Sequence, residues 1–552
     1  VSADLEEFDY IVVGAGAAGC VVASRLGEDQ GVTVLLLEEG PHDKSIFIRA
    51  TGGFFKTHGT KRTFLFHTEP EPGARGNRFP LLQGRTLGGG TSVNAMCYVR
   101  GQARDYDDWA AAGCKGWSYE EVLPYFRKAE NNAHLAGRYH GTDGPMRVSD
   151  GAHRHVLTEA FVRAAQEVEL PGKNAPIAFN HDFNGEHQDG VGFYQVMSYR
   201  GERSSTSRSF LAPALKRGNV SVRTGSLVRR VLFDGRRAVG VAILRNDGSE
   251  QVFRARREII LSAGSFMTPK ILMLSGVGPA ATLRQHGIAV VHDAPAIGTN
   301  YQDHFLVPVD AALAAPIGLL GQDRGLKGAL NGLQWALFRS GQLASNVVEA
   351  GGFFDLDGDG RPDIQLNAFA ASSAAWGEVP PQEHRFSLAP LCLTCHSRGT
   401  VTLRSTDPAD MPVVRGNFLH ETDVENLVNG IVLSRRIIAA PSLARYMAGE
   451  VLPGPKIGAS RAELTDYVLS AAKTALHPTS TCAMGPGPES AVDLSLKLRG
   501  VDGLRVVDGS VMPKVVRGNT TAPIVMIAEK AADLIRGLAA ARPLPAREVE
   551  RA

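Results

Sequence analysis

The sequence predicts a mixed α/β (α+β) protein of more than one domain, opening on a Rossmann-like nucleotide-binding unit. Three observations predict it. The chain has 552 residues, more than one hydrophobic core organises. Its residues are 43% hydrophobic and 21% charged, which excludes a mostly disordered chain. Near its start, an apolar run, a glycine turn, a small-residue helical pattern, a second apolar run and an acid follow in order.

The first run is Asp9 to Val13 and reads as a strand. Gly14-Ala15-Gly16-Ala17-Ala18-Gly19 follows, and Cys20 to Leu26 suits a helix. Val32 to Leu37 is the second strand, ending at Glu38. The physics fits a dinucleotide. Gly14 permits the tight turn, Gly16 lets a pyrophosphate approach the backbone, and Gly19 allows helix to pack on strand. Ala17 and Ala18 place the helix N-terminus, with unpaired N–H groups and a positive dipole end, against phosphate. Glu38 follows at roughly the usual offset of about 20 residues and can accept both ribose hydroxyls. Its neighbour Glu39 reads as a solvated or loop carboxylate.

A second glycine cluster runs from Gly84 to Asn94 and includes Arg85, Leu87 and Gly88-Gly89-Gly90. Three consecutive glycines bar regular structure, and the hydroxyl and amide groups at its end suit a loop pressed on a ligand. Residues 105 to 130 have helical spacing and aromatic mass, and read as core. Residues 219–233, 238–244 and 252–261 read as strands, with a hairpin at Asp234-Gly235-Arg236-Arg237. Pro316 to Gln342 reads as a surface excursion with helical pieces.

Several classes are excluded. The 61 glycines exceed the ~7% average but carry no Gly-X-Y period, so the chain is not collagenous. Net charge is +2 with no basic run, so neither nucleic acid nor an anionic membrane is an expected partner. No apolar run is long enough for a transmembrane helix. The acidic start, Val1 to Glu7, is not a signal peptide. A cytoplasmic location is the expectation, with a removed leader and a periplasmic location left open. The six cysteines are too sparse for a disulfide framework. Cys392-Leu393-Thr394-Cys395-His396 matches a c-type haem pattern but runs into an alternating strand pattern from Ser397, so haem is not expected. Asp355 to Asp363 resembles part of a calcium loop without the terminal Glu. It is read as an Asp/Gly turn, and no metal is expected.

Residues 84–94, Gly264 to Gly278, Gly298 to His304, Ser397-Arg398-Gly399, His477 to Gly485, Val507 to Ser510 and Gly518 to Pro523 together resemble the signatures of the glucose–methanol–choline (GMC) flavin oxidoreductases. These blocks keep the family's order along nearly the whole chain. The resemblance implies FAD, and a flavin domain assembled from segments 1–150, 205–305 and 475–552. It implies a substrate domain, 151–204 and 306–474, with a large antiparallel sheet. Where some relatives attach FAD through a histidine, this chain has Val93, so FAD is expected to be non-covalent.

The resemblance also implies site roles. His477 is expected to be the base that takes the hydroxyl proton of an alcohol, because a neutral imidazole accepts a proton near pH 7. Asn519 is the second member, donating to the substrate oxygen. The cofactor contacts are carried over to Arg85, Leu87, Gly89, Gly90, Asn94, Ala95, Met96, Val228, Ala263, Gly264, Asp508, Gly509, Asn519, Thr520 and Thr521, beside Gly14, Gly16, Ala17, Ala18, Gly19, Glu38 and Glu39. The expected reaction is oxidation of a primary alcohol or polyol, with oxygen or a quinone or dye as acceptor. Choline oxidases carry an aromatic before the base, whereas this chain has Leu476, and Val348 fills another place where an aromatic would enclose a cation. Glu349 is read as either a pocket-edge acid or a buried structural one. Choline dehydrogenase-like activity and a hydroxynitrile lyase that keeps FAD without redox turnover are the alternatives.

Overall fold

The computed structural model describes residues 6–170, 175–245, 247–372, 381–458 and 460–541. Most of the acidic start, residues 1–5, lies outside them.

The βαβ unit forms as expected. Strands Glu6–Val13 and Val34–Leu37 run parallel, with Tyr10 opposite Val34 and Val13 opposite Leu37. Helix Ala17–Leu26 connects them. Ile11, Val12 and Val34 to Leu36 are fully buried, as parallel strands covered on both faces require. Distant segments complete this sheet. Val220–Arg223 pairs with Val34–Leu37, and Glu250–Leu261 pairs with the other edge of Glu6–Val13. Leu504–Val506 then lies parallel to the end of Glu250–Leu261. The expected hairpin joins Leu227–Asp234 to Arg237–Leu244, which pairs with the first half of Glu250–Leu261. The run expected over 219–233 is two strands, because the chain turns at Gly225 with φ of 70°.

A second sheet is antiparallel throughout. Its order is Met447–Leu452, Val309–Leu313, Arg385–Cys392, Ile364–Phe369, Ala350–Phe354 and Gly190–Phe193. Phe305–Leu306 bridges its centre to Lys473–Thr474, just before His477. This strand brings the Gly298–His304 segment and the His477 segment together.

The aromatic stretch forms helices Ala103–Ala111 and Tyr119–Ala129, with Tyr106, Trp109, Trp117 and Phe126 buried. Helix Thr521–Arg536 packs on Ala17–Leu26. There Arg25 donates to both oxygens of the fully buried Glu529, at 2.8 and 2.7 Å. The excursion after Pro316 holds helix Gly325–Phe338, whose Leu326, Leu330, Leu333 and Leu337 face solvent. Cys392 ends a strand and Cys395 is buried, while His396 turns to Asp423. The alternating stretch beyond them forms only the short strand Thr400–Thr402. Among the described residues no helix is long and apolar enough to cross a membrane.

Candidate active site

A cavity of about 450 Å³ runs from the ends of the first parallel strands to His477 and Asn519. Three long helices begin on it: Ala17–Leu26, Gly264–Leu274 and Thr521–Arg536. None has an acid in its first turn, but Asp508 Oδ2 already accepts from Gly264 N at 2.9 Å. The positive ends at Ala17 and Thr521 carry no side-chain cap and favour an anion, and a diphosphate matches that demand.

Gly14 has φ of 95°, and a Cβ there would meet the Ser262 carbonyl oxygen at 2.5 Å. The two glycine loops also touch. Gly89 has φ of 50°, and its Cβ would sit 2.7 Å from the Gly16 Cα. This bare double loop is a cradle into which a flat cofactor and its phosphates fit. Glu38 closes the strand end, accepting from Ala15 N at 2.9 Å and Gly40 N at 2.8 Å. Burial raises its pKa above the ordinary value, and those two N–H groups oppose the rise.

The sequence-derived residues fall as follows. Gly14, Gly16, Ala17, Ala18, Glu38, Glu39, Gly89, Gly90, Asn94, Ala95, Met96, Val228, Ala263, Gly264, Asp508, Gly509, Asn519, Thr520 and Thr521 line the cavity, as does His477. Gly19, Arg85 and Leu87 are off its wall. Gly19 sits under the Gly14 carbonyl, Leu87 is core, and Arg85 pairs with Glu39 at 2.9 Å. Glu39 is therefore a paired wall acid and not a freely solvated one. Glu349 is 5% exposed and accepts from His155 N, Thr158 Oγ1 and Ser345 Oγ, away from the cavity. Of its two readings, the structural one holds. Val93 and Val348 are on the wall.

His477 is fixed on three sides. Its backbone N–H donates to Asp303 Oδ1 at 2.7 Å. Its Nδ1 lies 3.0 Å from His304 Nδ1, and its Nε2 lies 3.3 Å from Asn519 Nδ2. The preceding Leu476 takes φ of 61°, a left-handed conformation uncommon for leucine that turns the chain into the site. Burial and the neighbouring His477 hold the His304 pKa well below its ordinary value, so the ring is neutral. With its proton on Nε2, His304 accepts at Nδ1 from His477 Nδ1–H. His477 Nε2 is then a lone pair facing the cavity, which matches the amide donor of Asn519. Asn519 is oriented in turn, because Oδ1 accepts from Gln365 Nε2 at 3.3 Å and Gln365 also donates to Tyr194 OH at 2.9 Å.

Burial lowers the His477 pKa from 6.5 to about 4. The neutral ring therefore persists as pH falls through 6.5 and is lost only near 4. We expect the rate of flavin reduction by substrate, measured by anaerobic stopped flow, to stay flat from about pH 8 to about pH 5. An acid limb centred at 6.5 would refute this placement of the ring.

Sequence reasoning missed Gln365, and it quoted Asp303 and His304 without a role. It also missed Arg203, which is 1% exposed and donates to the Ile48, Thr91 and Asn94 carbonyls and to Asn94 Oδ1. Arg203 clamps the second glycine loop, and Asn94 passes the contact on to Thr521 Oγ1 at 3.2 Å. Burial with no ion-paired acid among the described residues lowers the Arg203 pKa to about 9. A buried cation beside the cavity suits an anionic occupant.

The GMC oxidoreductase family description matches residues 8–306, and a second GMC oxidoreductase description matches residues 395–528. The chain is 41% identical over 546 residues to the mitochondrial choline dehydrogenase of Mus musculus, covering 96% of this chain and 90% of that protein. It is 40% identical over 537 residues to the alcohol dehydrogenase [acceptor] of Pseudomonas putida, covering 96% and 95%. Among solved structures, pyridoxine 4-oxidase from Mesorbium loti superposes with a TM-score of 0.86 at 27% identity, covering 96% of this chain and all of that one. With matches over most of its length and a glycine cradle meeting a His–Asn pair, the chain belongs to the GMC oxidoreductase family.

Proposed function

We propose that this enzyme oxidises an uncharged primary alcohol to its aldehyde, with His477 as base and Asn519 as donor to the substrate oxygen. FAD-dependent oxidation of a CH–OH donor is the chemistry of the family and of its relatives. When bound, FAD supplies the hydride acceptor. The cradle of Gly14, Gly16, Gly89 and Gly90, the helix ends at Ala17, Gly264 and Thr521, and Glu38 would hold it, without a covalent link at Val93.

The chain's own residues handle the proton and the oxygen. His477 Nε2 takes the hydroxyl proton as the carbon-bound hydride departs. Asn519 Nδ2 donates to the oxygen while negative charge develops on it. Gln365 on Oδ1 keeps the donor end of the amide forward.

The observation that carries the substrate class is the wall near His477. Ala95, Leu306, Val348, Phe369, Leu391, Ala475 and Leu476 line it. The wall carboxylates are Glu38, Glu39 and Asp508 among the described residues, and each is occupied by backbone N–H groups, hydroxyls or Arg85. The cavity's phenylalanines are Phe54, Phe64 and Phe369, and a largely apolar wall whose acids are all occupied suits an aliphatic chain better than a quaternary ammonium. Choline remains the second reading because of the choline dehydrogenase relatives.

The test is anaerobic bleaching of the bound flavin by a panel of aliphatic alcohols, polyols and choline. We expect aliphatic primary alcohols to give the highest kcat/KM. Faster bleaching by choline would overturn the substrate class, and no bleaching by any alcohol would favour a lyase. Peroxide formation measured beside dye reduction then identifies the acceptor. Asn519→Ala should lower the rate of flavin reduction by about 10²–10³-fold, or ~2.7–4 kcal/mol, with FAD content unchanged. A loss below fivefold in stopped flow would remove Asn519 from the mechanism.

The proposed domains follow the two sheets. The flavin domain we propose comprises segments 1–150, 205–305 and 475–552, which supply the mixed sheet of Glu6–Val13, and the substrate domain 151–204 and 306–474, which supply the antiparallel one, with Phe305–Leu306 at the seam.

A further inference from the structure

The turn between strands Ala350–Phe354 and Ile364–Phe369 gathers acids. Carboxylate oxygens of Asp355, Asp357 and Asp363 lie within 4.8 Å of one another. Asp363 is fully buried. Its Oδ1 accepts from Leu356 N at 2.7 Å, but its Oδ2 is buried with no hydrogen-bond partner among the described residues. A buried carboxylate oxygen without a partner is costly, and more so beside two further acids.

Among the described residues, the two nearby arginines direct their hydrogen bonds to other groups. Arg361 turns outward from it, donating to Asp105 at 2.7 Å and Asp108 at 2.8 Å. Arg517 donates to the Pro362 carbonyl at 3.2 Å and reaches only Asp359, at 3.9 Å.

We propose that Asp355, Asp357 and Asp363 bind a calcium ion. The donors are all oxygen, as a hard cation requires. The acids stand at the first, third, fifth and ninth positions of Asp355-Leu356-Asp357-Gly358-Asp359-Gly360-Arg361-Pro362-Asp363. Gly360 at the sixth position has φ of 82°, the sharp turn that calcium loops make there. The reading of this segment as a plain turn rested on the missing terminal Glu. Asp363 supplies the inward, buried acid instead, three positions earlier than a Glu would. An irregular short loop suits calcium, which tolerates flexible geometry, better than magnesium, which demands a near-ideal octahedron.

The role is structural, since none of the three acids lines the cavity. The ion closes the loop two residues before Gln365, the residue that orients Asn519. It also holds Pro362, on which Arg517 hangs two residues before Asn519.

The experiment is calorimetric titration of CaCl2 into FAD-loaded enzyme stripped with a chelator, followed by thermal melts with and without CaCl2. We expect one equivalent to bind and the melting temperature to rise by a few degrees, as a ligand of the folded state alone requires. Asp363→Asn and the exposed Asp357→Ser should each lose both effects. Asp357→Ser guards against a folding defect at the buried position. No heat and no melting shift with millimolar CaCl2, in enzyme free of calcium by elemental analysis, would overturn the proposal. An equal response to MgCl2 would overturn the choice of calcium, and a full response in both variants would overturn the ligands.

Discussion

His477→Ala retains its FAD and loses about 10²–10⁴-fold in the rate of flavin reduction by alcohol, the usual worth of a general base. The wall offers no substitute. Asp508 accepts from Ser510 at Oδ1 and from Gly264 N and Thr268 Oγ1 at Oδ2. Glu38 and Glu39 lie at the strand end, held by Ala15, Gly40 and Arg85. His58 lines the cavity but has its Nε2 against the Val93 carbonyl at 2.9 Å. Lys270 is buried and donates to the Pro408 and Asp410 carbonyls. Among the described wall residues, His477 places a ring nitrogen lone pair beside the amide donor of Asn519. Anaerobic stopped flow measures the rate, and the ratio of flavin to protein absorbance measures FAD content. Reduction within tenfold of wild type would remove His477 from its role.

Gly19→Ala has the opposite signature: the protein is purified without FAD and is destabilised by about 3 kcal/mol or more, an overpacking cost. A Cβ at residue 19 would stand 1.9 Å from the Gly14 carbonyl oxygen and 3.3 Å from the Ser262 Cβ. The obstruction is backbone, so no rotamer relieves it. Moving Gly14 disturbs its own N–H bond to the Leu37 carbonyl and the adjacent Ala15 bond to Glu38. The turn and the Glu38 contact that closes the strand end are therefore lost together. Flavin content and a thermal melt check this, and a variant with wild-type yellow colour would show that helix and turn can separate cheaply.

What could be read in the sequence was local. Gly14 to Glu38 declare the βαβ unit because the turn, the dipole and the acid sit within one short segment. His477 and Asn519 were legible through their motifs. Gln365 was not, because a glutamine in an ordinary strand pattern gives no sign that pairing will carry it to Asn519. Arg203 was invisible for the same reason. Arg85 and Leu87 show the converse. A loop that contacts a ligand also needs residues that hold the loop, and the sequence does not separate the two. Leu476 was read for its side chain, although its backbone conformation is what turns the chain into the site.

The pairing of Glu6–Val13 with Glu250–Leu261, closed by Leu504–Val506 and helix Thr521–Arg536, sets the order of events at the ribosome. At about 5–20 residues per second, the first strand waits roughly half a minute to a minute and a half for its last partners. Contacts so distant in sequence also close slowly once available. Through that interval the apolar edges of the first βαβ unit are open to wrong partners. Because the cradle draws on Gly14, Gly264 and Thr521, cofactor capture waits until nearly the whole chain has been made.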